Sequence, residues 1–100
     1  MSIKRGQAPK KIAAPLKFAG VAEKFQLDVV FINRKPSEVD ALIAEGKSVS
    51  EVILFLLDSW DTDYPLSVEG INELEDDHMG VCQGIIQGYY RARRVDLEKN

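Results

Sequence analysis

One hundred residues are enough for a single domain with a real core and too few for two. Apolar residues make up 45% and charged residues 29%, an ordinary globular composition, and no run approaches the roughly 18 apolar residues of a membrane span. The net charge of −3 conceals an asymmetry: residues 1–35 carry eight Lys/Arg against two acids, residues 36–88 one against twelve, and residues 89–100 four against two. An acidic body between basic ends excludes a broad nucleic-acid-binding face, which needs clustered cations.

Residues 1–15 mix Lys, Arg, Pro, Gly and Ala without periodicity and read as a flexible basic tail, with one domain over 16–95 and a short C-terminal tail over 96–100. No apolar segment follows the first charges, so no secretory signal is expected. Leu16 to Ala19 forms a short strand, Gly20 to Glu23 a turn, and Lys24 to Ile32 a clear strand. Phe25, Leu27, Val29 and Phe31 alternate with Lys24, Gln26 and Asp28, the pattern of a half-buried strand. A lone hairpin is marginal in water, so its apolar side must rest on helices or on another copy. Pro36 ends the ladder. Ser37 caps a short helix with Val39, Leu42 and Ile43 as its stripe, and Gly46 stops it.

Ser48 to Trp60 contains six consecutive apolar residues, Val52 to Leu57, the longest such run in the chain. Length alone allows strand or helix; Ser48 followed by Glu51 forms a capping box and selects a helix over 48–60. Val52, Ile53, Leu56 and Trp60 share one face with Val49. Leu54 and Phe55 fall outside it, beside the acidic stripe of Glu51 and Asp58. The helix is therefore either sandwiched within the domain, the more frequent outcome, or offers apolar surface to a partner. Asp61 to Pro65 is a loop, and Ser67 caps an acidic helix with Val68, Ile71 and Leu74 along one side. Asp76 to His78 breaks that helix, and a last one runs from Met79 to about Arg94, burying Val81, Cys82, Ile85, Ile86 and Tyr89. Gly80, Gly84 and Gly88 lie four apart on it, each costing about 1 kcal/mol against Ala. That loss predicts close approach of another backbone, unless the helix end is simply loosely packed. The fold expected is α+β and mostly helical, an N-terminal β-hairpin followed by about four short helices.

Chemistry is sparse. His78 is the single histidine and Cys82 the single cysteine, so no internal disulfide forms and a cytoplasmic setting is expected. The pair is spaced i, i+4 with Asp77 nearby, but a structural zinc takes four ligands. Asp61 and Asp63 begin like a calcium loop that Pro65 and the missing Gly interrupt. No nucleophile–base set or phosphate-cradling loop is present, so neither catalysis nor a cofactor is expected.

The order of landmarks is more informative. A strand from Phe25 to Phe31 precedes Arg34 and Lys35. Ser37-Glu38-Val39-Asp40 with Leu42, a Gly46 break, a helix ending at Trp60-Asp61, Pro65-Leu66-Ser67, Ile71 with Leu74, and Val81 through Tyr90 follow. Over residues 24–92 this resembles the small tail assembly chaperones of tailed phages and prophages. The resemblance implies a non-enzymatic protein of the host cytoplasm that keeps the hydrophobic tape measure protein soluble, aids polymerisation of the tail tube protein, and is absent from the finished virion. Leu54, Phe55, Trp60, Tyr64, Tyr89 and Tyr90 are the candidates for its apolar partner-binding surface, with self-association through the hairpin edge. Two other classes remain open. One is a regulatory adaptor binding a folded partner or nucleic acid through Lys4, Arg5, Lys10, Lys11, Arg91, Arg93 and Arg94. The other is a minor virion subunit whose strand Phe25–Ile32 pairs between copies.

Overall fold

The computed structural model describes residues 2–98. It opens with a hairpin in which β1 (Lys11–Ala19) and β2 (Lys24–Ile32) pair antiparallel, from Lys11 opposite Ile32 to Ala19 opposite Lys24. The Gly20 amide donates to the Glu23 carbonyl at 2.8 Å to close the turn. The first strand thus starts at Lys11, inside the segment expected to be a flexible tail. Ile12 and Ala14 continue the inward parity of Leu16 and Phe18, so the apolar face extends further back than the four-residue reading allowed. Pro15 is tolerated because its ring nitrogen faces away from β2. The Asn33 amide donates to the Lys10 carbonyl, which sets the even-numbered residues of β1 toward β2 and the odd-numbered ones toward the free edge.

Helix α1 (Pro36–Ala44) follows, with Pro36 in its first turn. Its N-cap is Lys35 rather than Ser37: the Glu38 carboxylate accepts from the Lys35 amide at 3.0 Å. Gly46 ends it at φ +77°, a left-handed conformation that glycine adopts without penalty. Helix α2 (Val49–Leu56) begins with the expected box, the Ser48 hydroxyl accepting from Glu51 N–H and the Glu51 carboxylate from Ser48 N–H, both at 3.2 Å.

The helix expected over 48–60 stops at Leu56. Leu57 turns extended, at φ −100° and ψ 131°, and opens a third strand, β3 (Leu57–Trp60). A continued helix would carry Leu57 about 100° round from Leu56, toward the Leu54 and Asp58 side. The extended backbone instead places both leucines in the core. β3 pairs antiparallel with β2 through Leu57–Phe31, Ser59–Val30 and Trp60–Val29, with a bulge between Val30 and Phe31. Asp61 locks the end, its amide donating to the Asp28 carbonyl at 3.1 Å and its carboxylate accepting from Asp28 N–H at 2.9 Å. The sheet therefore has three strands in the order β1-β2-β3. With 41% helix and 23% strand among the described residues, the fold is α+β without being mostly helical.

Helices α3 (Val68–Asp77) and α4 (Val81–Arg93) follow, and the Ser67 hydroxyl caps α3 by accepting from Gly70 N–H at 3.1 Å. The helices cover one face of the sheet. Leu27, Val29 and Phe31 meet Val52, Ile53 and Leu56 from α2, Ile71 and Leu74 from α3, and Ile85 from α4. Each such aliphatic side chain contributes about 1.5–3 kcal/mol by leaving water. The opposite face, with Ala13, Pro15, Lys17, Lys24, Gln26 and Asp28, stays exposed.

Candidate functional site

The six apolar candidates do not form one exposed surface. Tyr89 is 1% exposed, and its ring packs edge-on against Phe31 at 5.3 Å. Its hydroxyl accepts from the Arg34 amide at 3.0 Å and donates to the Arg34 carbonyl at 3.3 Å. The chain leaves β2 at this point, so its backbone groups lack a ladder partner, and the buried phenol supplies one. Tyr89 is therefore a core residue, not a partner contact. Phe55 is half-buried beneath the Arg34 guanidinium, whose carbon lies 3.9 Å from the ring centre. Arg34 Nε also donates to the Phe55 carbonyl at 3.0 Å, satisfying a group that the end of α2 would leave orphaned. Leu54 is likewise half-buried against the core.

Trp60 and Tyr64 hold the loop. The indole N–H donates to the Tyr64 carbonyl at 3.0 Å, and the Tyr64 hydroxyl donates to Asp77 at 2.5 Å. That bond, with lesser help from burial and neighbouring acids, pushes the Tyr64 phenol up to about 12. Tyr90 alone of the six is more than one-third exposed, at 43%, and it packs edge-on against Tyr89.

The structure opens apolar surface elsewhere. A groove of about 770 Å³ runs between α2, α3 and α4, lined among others by Val49, Met79, Cys82 and Ile86. Met79 is 86% exposed and Val49 54%. Glu75 and Asp76 stand on its acidic side, Gln83 and Gln87 on its amide side. The Ser50 hydroxyl donates to the Asn72 side-chain carbonyl and joins α2 to α3 at this groove.

The same region fixes the start of α4. Gly80 occupies the N-cap at φ +103° and has no side chain to cap with. Glu75 reaches across from α3 and accepts from the Gly80 and Cys82 amides, each at 2.9 Å. Burial opposes the Glu75 charge, but those two amides and the Cys82 thiol outweigh it and hold the carboxyl below its ordinary range. The thiol moves the other way: burial first, then the Glu75 charge and hydrogen bond, push Cys82 up to about 12. It stays a protonated thiol at neutral pH and is a poor nucleophile.

His78 turns away from Cys82. Its Nδ1 lies 2.9 Å from the Glu23 carboxylate, and its ring rests on Phe25 at 5.2 Å. Asp61 is taken up by Asp28. Among the described residues no group of three or more His, Cys, Asp or Glu side chains is placed to hold a metal, and no helix is long and apolar enough to cross a membrane.

Sequence reasoning missed Met79, because it sat at the edge of an expected helix and was counted into it. The available signal was its position between His78 and Gly80, where the chain must turn and an apolar side chain has no core to enter. Comparison of the chain with family models, with curated proteins and with solved structures gives no match.

Proposed function

We propose that this chain is a non-enzymatic chaperone of the phage tail assembly class, and that it holds an apolar helical segment of the tape measure protein in the groove between α2, α3 and α4. The observation that carries the reading is the open groove at Val49, Met79 and Ile86 beside Glu75 and Asp76. Helix-in-groove recognition needs an apolar trough of this kind. Methionine suits it, since its flexible side chain adapts to varied partners. The acidic body, with one lysine against twelve acids over residues 36–88, keeps the loaded complex soluble. The landmark order from Phe25 to Tyr90 supplies the family expectation: action in the host cytoplasm, assistance to the tail tube protein, and departure before the particle is finished.

Co-expression with a long, hydrophobic, helix-rich tape measure protein tests the reading. The partner's soluble yield rises with the chain present, and the two co-elute. Val49→Ser with Met79→Ser abolishes the rescue, while each exposed substitution changes stability by no more than about 0.5 kcal/mol. Absence of rescue and of a complex overturns the proposal. The adaptor alternative is tested by removing residues 1–8. That truncation stops short of Pro9 and Lys10, whose carbonyls accept from Asn33, and so spares the hairpin.

A further inference from the structure

Strand β1 has a free edge, and α4 runs beside it. Between them lies a groove of about 880 Å³, walled on one side by Ala13, Pro15, Lys17 and Ala19 and on the other by Gln83, Gln87 and Arg91. The odd-numbered residues of β1 direct their backbone groups to this edge, as the Lys10–Asn33 bond sets the register. Ala13, Lys17 and Ala19 offer amide donors there, and Pro15 only a carbonyl.

Two features keep the groove open. Phe18 and Leu16 fill the positions where side chains on Gly84 and Gly88 would stand, so α4 sits low against β1. Gly80 has nothing within 4 Å of where its Cβ would be. The charge of the groove is also distinctive. Its charged residues are Lys17 and Arg91, with no acid among the lining, although the body of the protein is acidic. Neither cation has an ion-pair partner among the described residues.

We propose that this groove binds an extended acidic peptide segment of another protein, which adds as a fourth strand on β1. Main-chain bonds to Ala13, Lys17 and Ala19 supply the ladder, as in strand-addition complexes. Its carboxylates meet Lys17 and Arg91, and Gln83 and Gln87 donate from the helix side. A second copy of this chain is the poorer occupant. In a symmetric pairing about Pro15, Lys17 falls opposite Ala13 of the second copy, no carboxylate of the groove lining meets Lys17 or Arg91, and two residues without an amide stand at the centre. The two grooves share Gln83 and Gln87, but β1 and Arg91 line only this one, and the proposal does not depend on the α2–α4 reading.

The test follows amide exchange by NMR in the full chain, with an end-blocked eight-residue peptide of paired Val-Val-Asp-Asp repeats as probe, which places carboxylates on both faces of the added strand. Exchange at Ala13, Lys17 and Ala19 slows at least tenfold on saturation, and a peptide of Val-Val-Lys-Lys repeats has no such effect. Gln87→Trp fills the groove at an exposed position, and Arg91→Glu reverses its charge. Each weakens binding of the acidic peptide by about tenfold or more without altering the melting temperature. The proposal is overturned if those amides stay unprotected or if the basic peptide binds equally well. Protection that rises with protein concentration alone also overturns it, by assigning the edge to a second copy.

Discussion

Helix α4 meets its surroundings by two opposite rules. Toward β1 it carries glycines, and the neighbouring side chains stand where its own would be: a Cβ on Gly84 would fall 2.3 Å from the Phe18 ring, and one on Gly88 2.5 Å from a Leu16 methyl. Toward α2 and α3 it presents Cys82 and Ile86 to an open groove with Met79 at its mouth. The first contact is specified by what is missing, the second by what is left uncovered. Interiors packed to crystal-like density register one extra methyl, whereas an open trough tolerates exchange. On the proposed reading, stability and recognition are divided between two faces of one helix.

The sharpest way to break the fitted side lies at a third glycine. A Cβ on Gly70 would stand 1.8 Å from the Pro65 carbonyl oxygen, which is backbone and cannot swing away. Gly70→Ala gains about 1 kcal/mol of helix propensity. It loses more to overlap, for a net cost of about 3 kcal/mol. The melting temperature falls by roughly 12 °C or more in a domain of this size. An unchanged melting temperature would show that the Pro65 loop yields.

Gly84→Ala and Gly88→Ala divide the α4–β1 contact. Phe18 is stacked on Phe25 at 5.1 Å and 19°, so its ring has little room to retreat, and Gly84→Ala costs about 1–2 kcal/mol net. Leu16 offers only the end of a flexible chain, so Gly88→Ala stays within about 0.5 kcal/mol of neutral. Thermal or urea unfolding of the pair reads the difference directly. Phe18→Leu restores most of the Gly84→Ala loss if ring overlap is its cause.

How much of this was legible in the sequence depends on the range of the interaction. The capping box of Ser48 and Glu51, the Ser67 cap, the Gly46 stop and the inward parity of Phe25 to Phe31 are local, and each stands as read. The switch from α2 to β3 was hidden because an uninterrupted apolar run carries no period change; pairing with β2, nearly thirty residues earlier, decides it. Gly84 and Gly88 of the glycine stripe did announce a close approach, by the side chains of β1 rather than by a backbone, whereas Gly80 faces open space at the N-cap. Phe55 and Tyr89 are drawn from the surface by one long-range polar partner, Arg34. The burial of Tyr89 was legible in the helical spacing of Val81, Cys82 and Ile85; the partner of its phenol, Arg34, lies 55 residues away and nothing near Tyr89 in the chain signals it.

A smaller effect than that at Gly84 lies where the two sides of α4 meet, at the Glu75 cap. Its folded carboxyl titrates below the unfolded value of about 4.3. The stability it contributes is therefore complete above that value and is lost as pH falls through the folded one. Glu75→Gln removes the charge but keeps an acceptor for the Gly80 or Cys82 amide, so it costs about 0.5–1 kcal/mol at pH 7. Below the folded titration the native protein has already lost the charge, and the two proteins converge. Urea unfolding at pH 7 and at pH 3 measures this: the stability gap between the native protein and the Glu75→Gln variant is wider at pH 7 than at pH 3. Because Glu75 anchors α4 to α3 and also stands beside the groove at Met79, the same variant has a second readout. Partner rescue that survives the substitution assigns recognition to the apolar trough, and rescue that falls with stability unchanged assigns part of it to the acidic side.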